Sequence, residues 1–259
     1  MEHGNWFLFS LLLVVVLGIV VTILTARSGR ELFLRRIPGL SAIDEAVGRA
    51  TEMGRPILFS IGLQGLTIDT LQALAVVQHV ARLAARYGNR MVLPICHPVV
   101  LPVAEELTRE AWQAEGKVDA YRPDDVRFLS DQQWAYVAGV IGMINRERVA
   151  SVFYFGYFYA EALLLAESAQ EVGAIQVAGT PATTQIPFFL VTCDYTVIGD
   201  EFYAASAYLT REPTLLGSLV GQDIGKTVLM ALAVAGTVLA NAYWPLANKI
   251  VGLLRGFGL

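Results

Sequence analysis

The chain has 259 residues, 55% of them apolar, and 19 Lys and Arg against 23 Asp and Glu give a formal net charge of −4. A soluble domain needs only about 45–50% apolar residues, so part of this chain has another use. The charges are mixed and no Lys/Arg-rich block carries interleaved aromatics, which argues against a nucleic-acid partner.

Residues 1–5 are a short N-terminal segment, and residues 6–26 follow without a single charge. A helix of roughly 20 apolar residues crosses the hydrocarbon core of a bilayer. Only Glu2 and His3 precede the segment, so a basic leader region is missing and an uncleaved membrane anchor is expected. A second apolar stretch, Thr227–Ala242, extends through Tyr243 and Trp244 and defines a second span over 227–245. Arg27, Arg30, Arg35 and Arg36 follow the first span directly, and Lys226 enters the second. The positive-inside rule then puts the N-terminus outside and the central domain in the cytoplasm. Lys249 and Arg255 run against that count, and residues 246–259 read as an amphipathic tail in the headgroup region. Membrane lipids are the first partners implied.

Residues 27–56 read as a basic juxtamembrane linker with a short helix. Ser41 is its expected N-cap, Asp44 and Glu45 lie in its favourable first turn, and Gly54 and Pro56 end it. Glu45–Arg49 and Glu52–Arg55 have the spacing of intrahelical pairs.

Residues 57–212 then alternate. Ile57–Ile61 is an apolar run, and Thr67 caps a helix to about Tyr87 that Gly88 and Asn89 stop. Met91–Ile95 is a second run, with a helix after it to about Ala114; residues 116–129 read as a loop with a short strand. Ser130 to Gln133 has capping-box spacing ahead of a helix to about Arg146. Val149–Phe155 is the next run, with a helix over about Tyr159–Val172. Ile175–Ala178 and Phe188–Thr192 read as two more strands, and a last helix covers about Val197–Leu209. Strands that are apolar throughout, alternating with amphipathic helices, belong to a parallel sheet covered on both faces. The expected fold is a Rossmann-like three-layer α/β sandwich with a mostly parallel sheet, flanked by N- and C-terminal transmembrane helices. Residues 213–226 read as the linker to the second span.

In such a fold, ligands sit beyond the carboxyl ends of the strands. A small-molecule ligand would meet Ser60, Gly62, Gln64 and Gly65 after the first strand, and Gly156 after the fourth. Gly179, Thr180, Thr183, Thr184 and Gln185 form a second polar loop. Neither loop is the dinucleotide fingerprint or a Walker motif, and the alternative is a set of tight turns with threonines bonded to backbone. No cofactor is specified. Cys96 with His97, and Cys193 with Asp194, are the weak candidates for nucleophile and base, expected to meet across the sheet edge. The commoner role of such cysteines is as small buried hydrophobes. Cys96 and Cys193 follow no metal spacing, and a structural disulfide is not expected in a cytoplasmic domain. His3, His79 and His97 share no face and Asp194, Asp200 and Glu201 have no ligand spacing, so no metal site is expected.

Tyr157 and Tyr159 emerge at the crevice rim, where they would stack on a ligand or fill a subunit interface. In the second span, Ala231/Ala235 and Gly236/Ala240 have small-xxx-small spacing, which lets helices approach closely in lipid. That pattern serves packing within the protomer or between protomers.

The stretches Ala42–Pro56 and Ile198–Leu209 resemble segments of an uncharacterised domain family found in membrane-anchored bacterial (Chloroflexi-like) and archaeal proteins. The resemblance covers about residues 31–225 and implies one domain between two anchors. It implies no reaction. The expected function is a membrane-anchored assembly protein, a homo-oligomer with cytoplasmic α/β domains and no evident catalysis. The alternatives are a membrane-tethered domain that senses a small ligand or nucleotide and, third, an enzyme using the strand-end crevice.

Overall fold

A computed structural model describes residues 6–28, 37–210, 213–242 and 252. The segment 1–5, the basic residues Arg30, Arg35 and Arg36 and nearly all of the tail 246–259 lie outside the described residues. The chain divides into two units, residues 35–210 and the paired terminal segments 1–34 and 211–259.

In the larger unit the strands are β1 (Ile57–Gly62), β2 (Met91–Ile95), β3 (Val126–Phe128), β4 (Ser151–Tyr157), β5 (Ile175–Thr180) and β6 (Tyr195–Ile198). All are parallel and lie in the order β3-β2-β1-β4-β5-β6. This is the order of dinucleotide-binding folds, with its reversal between β1 and β4. The β1 and β2 residues are all buried, as continuous apolar runs demand.

Helices α2 (Pro38–Glu52), α3 (Ile68–Tyr87), α4 (Leu101–Ala114) and α8 (Asp200–Thr210) form one layer. Helices α5 (Gln133–Glu147), α6 (Glu161–Glu171) and α7 (Ile186–Thr192) form the other. Alternation along the strands splits the core in two. Phe59 stacks on Phe153 and Phe155, each with ring centroids 5.8 Å apart. Tyr154, from the opposite side of β4, stacks on Phe189 at 5.6 Å and packs among Leu58, Val92, Val152 and the α5 and α6 side chains. Burying one such aromatic side chain stabilises the fold by about 1.5–3 kcal/mol.

Local chemistry sets several boundaries. Thr67 Oγ1 accepts from the Thr70 amide at 3.4 Å and starts α3; Gly88, at φ 71°, closes it in the left-handed region. Three expectations need correction. Ser41 is not the cap of α2: Ile37 holds that position, Pro38 opens the helix, and Ser41 donates back to the Ile37 carbonyl, so Asp44 and Glu45 lie beyond the first turn. Ser130 does not cap α5, because its Oγ accepts from the Gln132 amide and the helix starts at Gln133. Phe188–Thr192 is not a strand but lies in α7, with Pro187 in its first turn; the sixth strand is Tyr195–Ile198 and α8 starts at Asp200. Periodicity cannot separate a short apolar strand from a short apolar helix. Helix α2 is also part of the domain rather than of a linker, since Ile43, Ala46, Val47 and Ala50 are buried and the Ala46 carbonyl accepts from Ser151 Oγ at 2.6 Å.

In the smaller unit, α1 (Trp6–Arg27) packs against α9 (Pro213–Ala242). Both helices are long and apolar enough to cross a membrane. Residues 213–226, read as a linker, are helical and belong to α9. The close approach is made at Gly217, Gly221 and Gly225. A Cβ at Gly217 would lie 2.5 Å from Ile23 Cα, and one at Gly221 would lie 2.8 Å from Ile19 Cα. The descending partners 23, 19 and 15 show that the helices run antiparallel.

Candidate functional site

The two ends of a parallel sheet differ, because every strand leaves for its helix at the same end. The strand-end face holds the crevice between β1 and β4. Here two glycines let the backbones approach closely. Gly62 (φ 80°) and Gly156 (φ 138°) lie where a Cβ would meet the Tyr157 carbonyl oxygen at 2.3 Å and the Ile61 carbonyl oxygen at 2.1 Å, respectively. Only glycine allows that approach. It produces the register shift between Ser60 and Gly62, and the Leu63 amide donates to the Tyr157 carbonyl at 3.0 Å.

Most of the expected ligand residues have partners within the fold. Ser60 is fully buried and its Oγ pairs with the Tyr136 hydroxyl at 2.9 Å. Gln64 Oε1 accepts from Thr67 Oγ1, and the Gly65 carbonyl accepts from Thr70 Oγ1 at 2.6 Å. Gly179 packs under the Phe155 ring, where a Cβ would lie 2.7 Å from Cε1. Thr180 Oγ1 accepts from the Ala182 amide. Thr183 and Thr184 are exposed, and Gln185 donates to Thr184 Oγ1 while its own Oε1 is buried with no hydrogen-bond partner.

The two cysteine pairs do not meet. Cys96 and His97 follow β2 at the strand-end face, whereas Cys193 and Asp194 precede β6 at the strand-start end. The cause is the helical α7, which shifts the last strand forward. His97 Nε2 lies 2.8 Å from the Leu63 carbonyl oxygen, and Asp194 Oδ2 accepts from the Gln176 amide at 2.8 Å. Burial pushes the Cys96 thiol up to about 11 and the Cys193 thiol up to about 12. A nucleophile needs the opposite shift.

The sequence reading missed Glu161. It is completely buried, accepting from Gln133 Nε2 at 2.6 Å and from the Tyr159 amide at 2.8 Å. It also missed Trp134, Asp69 and Tyr203. The Tyr203 hydroxyl donates to Asp69 Oδ1 at 2.8 Å, and burial together with that carboxylate raises the phenol to about 12. Tyr157 and Tyr159 meet edge to face at 5.1 Å, the first half-buried and the second exposed. In sequence Glu161 is an ordinary first-turn acid; nothing marks its burial.

At the strand-start end a cleft of about 150 Å³ is lined by Asn89, Arg90, Thr108, Trp112, Tyr121 and Arg122 among others. Arg90 bonds Asp125 at 2.6 Å and Glu147 at 2.5 Å, and both partners raise its guanidinium further above its ordinary value. This network ties β2 to β3 and to the end of α5. Among the described residues no group of three or more His, Cys, Asp or Glu is placed to hold a metal ion.

In the terminal pair, Ala231, Ala235 and Gly236 are exposed, and Gly236 has nothing within 4 Å of an added Cβ. The side chain of Ala240 lies outside the described residues. Packing within the protomer therefore uses a glycine stripe that precedes the small residues singled out in the sequence.

No curated protein and no solved structure matches the chain. One family does, and its model spans both helices and the domain between them: over residues 1–251 the chain belongs to the family named Domain of unknown function (DUF6754).

Proposed function

We infer that the protein is a membrane-anchored assembly protein. Its two terminal helices hold the α/β domain at the membrane, and copies associate into a homo-oligomer. The positive-inside rule, applied to the basic residues after the first span, supports a cytoplasmic domain. The observation that carries the reading is the strand-end face. Gly62 and Gly156 there leave no room for a Cβ, while Leu66, Ile68, Val99, Trp134, Tyr159 and Tyr203 are 42–70% exposed at the same face. Contiguous exposed apolar residues mark interaction surfaces. The test is co-expression of two differently tagged copies, extraction in mild detergent and capture on one tag. The other tag is expected to co-purify; its absence overturns the reading.

A second reading, a small-ligand sensor, is favoured by the unpartnered Gln185 Oε1 beside the exposed Thr183 and Thr184. Under it, the double substitution Thr183→Ala, Thr184→Ala releases a retained small molecule from the purified protein and leaves its assembly intact.

A further inference from the structure

The uncharged length of α1, Trp6 to Ala26, has His3 before it and Arg27 after it, and it matches one bilayer crossing. Its pairing with α9 then fixes which residues of α9 share that layer. Gly217 lies against Ile23, Gly221 against Ile19 and Gly225 against Val15, so each turn up α9 is a turn down α1. At the end of the pair, Arg27 Nη2 donates to Thr214 Oγ1 at 3.2 Å. Continued at that pitch, Trp6 stands level with about residue 234, and the layer holds about residues 214–234 of α9 rather than 227–245.

Asp223 and Lys226 therefore lie within about 3 Å of the middle of that layer. Sliding the pair outward by two turns, about 11 Å, to admit the apolar residues after 234 still leaves both in the hydrocarbon core. Neither is near an end of α9, from where a lysine snorkels to the interface. Nor are they turned toward α1. Asp223 follows Gly221 by two residues, about 200° round the helix, and Lys226 follows Gly217 by nine, about 180°. Both are exposed on the outer side of the pair, on one stripe with Leu219 and Met230. Even joined to each other one turn apart, two charges against lipid tails are costly, and ionisable residues at this depth face protein or water.

We propose that this stripe of α9 meets the same stripe of a second copy about a twofold axis along the membrane normal, with Asp223 of each copy paired to Lys226 of the other. This rests on the homo-oligomer reading and names the contact that makes it. Two features select a second copy. Every copy crosses the membrane in the same sense, so both copies hold Asp223 and Lys226 at the same depths. The two residues also occupy opposite flanks of the stripe, about 60° apart, and a twofold axis sets one flank against the other. Helical side chains lean toward the N-terminal turn, which brings the Lys226 ammonium to the level of Asp223. The face is thus complementary in charge to itself.

Full-length protein carrying Met230→Cys is oxidised in lipid vesicles, with Ile224→Cys, on the flank nearer α1, as the control. The protein without an added cysteine gives the background from its own thiols. Met230→Cys is expected to form a covalent dimer, and Ile224→Cys to stay at background. In the Met230→Cys chain, Asp223→Lys or Lys226→Asp alone sets like charges face to face and is expected to cut the dimer by about tenfold. Co-expressing those two variants under different tags is expected to restore it as a dimer bearing both tags, since each then meets its opposite charge. The restored dimer also shows that both variants are folded. Background crosslinking at Met230→Cys, equal crosslinking at the two positions, an undiminished dimer in either charge variant, or no restoration on co-expression overturns this contact. If the two tagged wild-type copies still co-purify, the oligomer reading stands without it; if they do not, that reading falls as well.

Discussion

At the residue scale, the strand-end face is marked by two glycines and the buried thiol of Cys96. Gly156 takes φ 138° against the Ile61 carbonyl, a combination no Cβ tolerates. Gly156→Ala is expected to destabilise the domain by more than about 1 kcal/mol from the dihedral alone, with the overlap adding to it. Thermal unfolding of the variant checks this, and an unchanged midpoint contradicts it. The Cys96 thiol, raised by burial to about 11 from 9.0, has about a hundredfold less thiolate than an unperturbed thiol. Alkylation of native protein is expected to be slower than that of a model thiol by at least that factor, and denaturant is expected to abolish the difference. Fast labelling in the native state would restore Cys96 as a nucleophile.

His79 carries the pH dependence that is legible here. Burial holds its imidazole below the ordinary 6.5; Asp44, 3.8 Å away, opposes this, and Arg82 and Arg86 add to it. The unfolded chain therefore binds the proton first as pH falls. No stability is lost on this account above pH 6.5, and it is lost progressively below, down to the folded value. His79→Leu is expected to flatten the stability–pH curve in that window. An unchanged slope would assign it to other groups.

At the element scale, the sequence was most readable where a physical rule leaves few choices. The fully apolar runs of β1, β2 and β4 have no exposed face to alternate with, so a doubly covered parallel sheet follows from them. Thr67 and Gly88 set the ends of α3 by capping chemistry alone. Reading failed where burial or tertiary packing decides. The run Phe188–Thr192 is apolar in either conformation; Pro187 and the later pairing of Tyr195 with Val177 make it a helix. That one misassignment moved Cys193 and Asp194 to the wrong end of the sheet, and with them the expected cysteine crevice. The helix pair failed differently. Ala231, Ala235 and Gly236 look like the packing stripe because they lie in the most apolar part of the span. The partner helix instead meets Gly217, Gly221 and Gly225, in a stretch that Asp223 and Lys226 disguise as a linker. Gly221→Leu is therefore expected to break the α1–α9 pairing, and Gly236→Leu to leave it intact. Crosslinking between cysteines placed at Val15 and Gly225 reads the difference. Equal crosslinking in both variants contradicts the assigned stripe.

At the scale of the whole molecule, the arrangement is one α/β domain between two helices long enough to span a membrane. The domain has the strand order of a nucleotide-binding fold, but fold alone does not give function. Where β1 and β4 end, Gly62 and Gly156 let the two backbones approach too closely for a Cβ. Its helix starts carry acids, and the apolar residues at its rim face outward. Those features are what the proposed assembly reading draws on. None of this was visible in the spacing of the glycines, which reads the same for a phosphate cradle and for a tight backbone crossing. The most direct test of the assembly is native mass spectrometry of the full-length protein released gently from its own membrane. A discrete homo-oligomer with no added small-molecule mass is the predicted result. A monomer, or a protomer that carries a few hundred extra daltons lost on substituting Thr183 and Thr184, would contradict it.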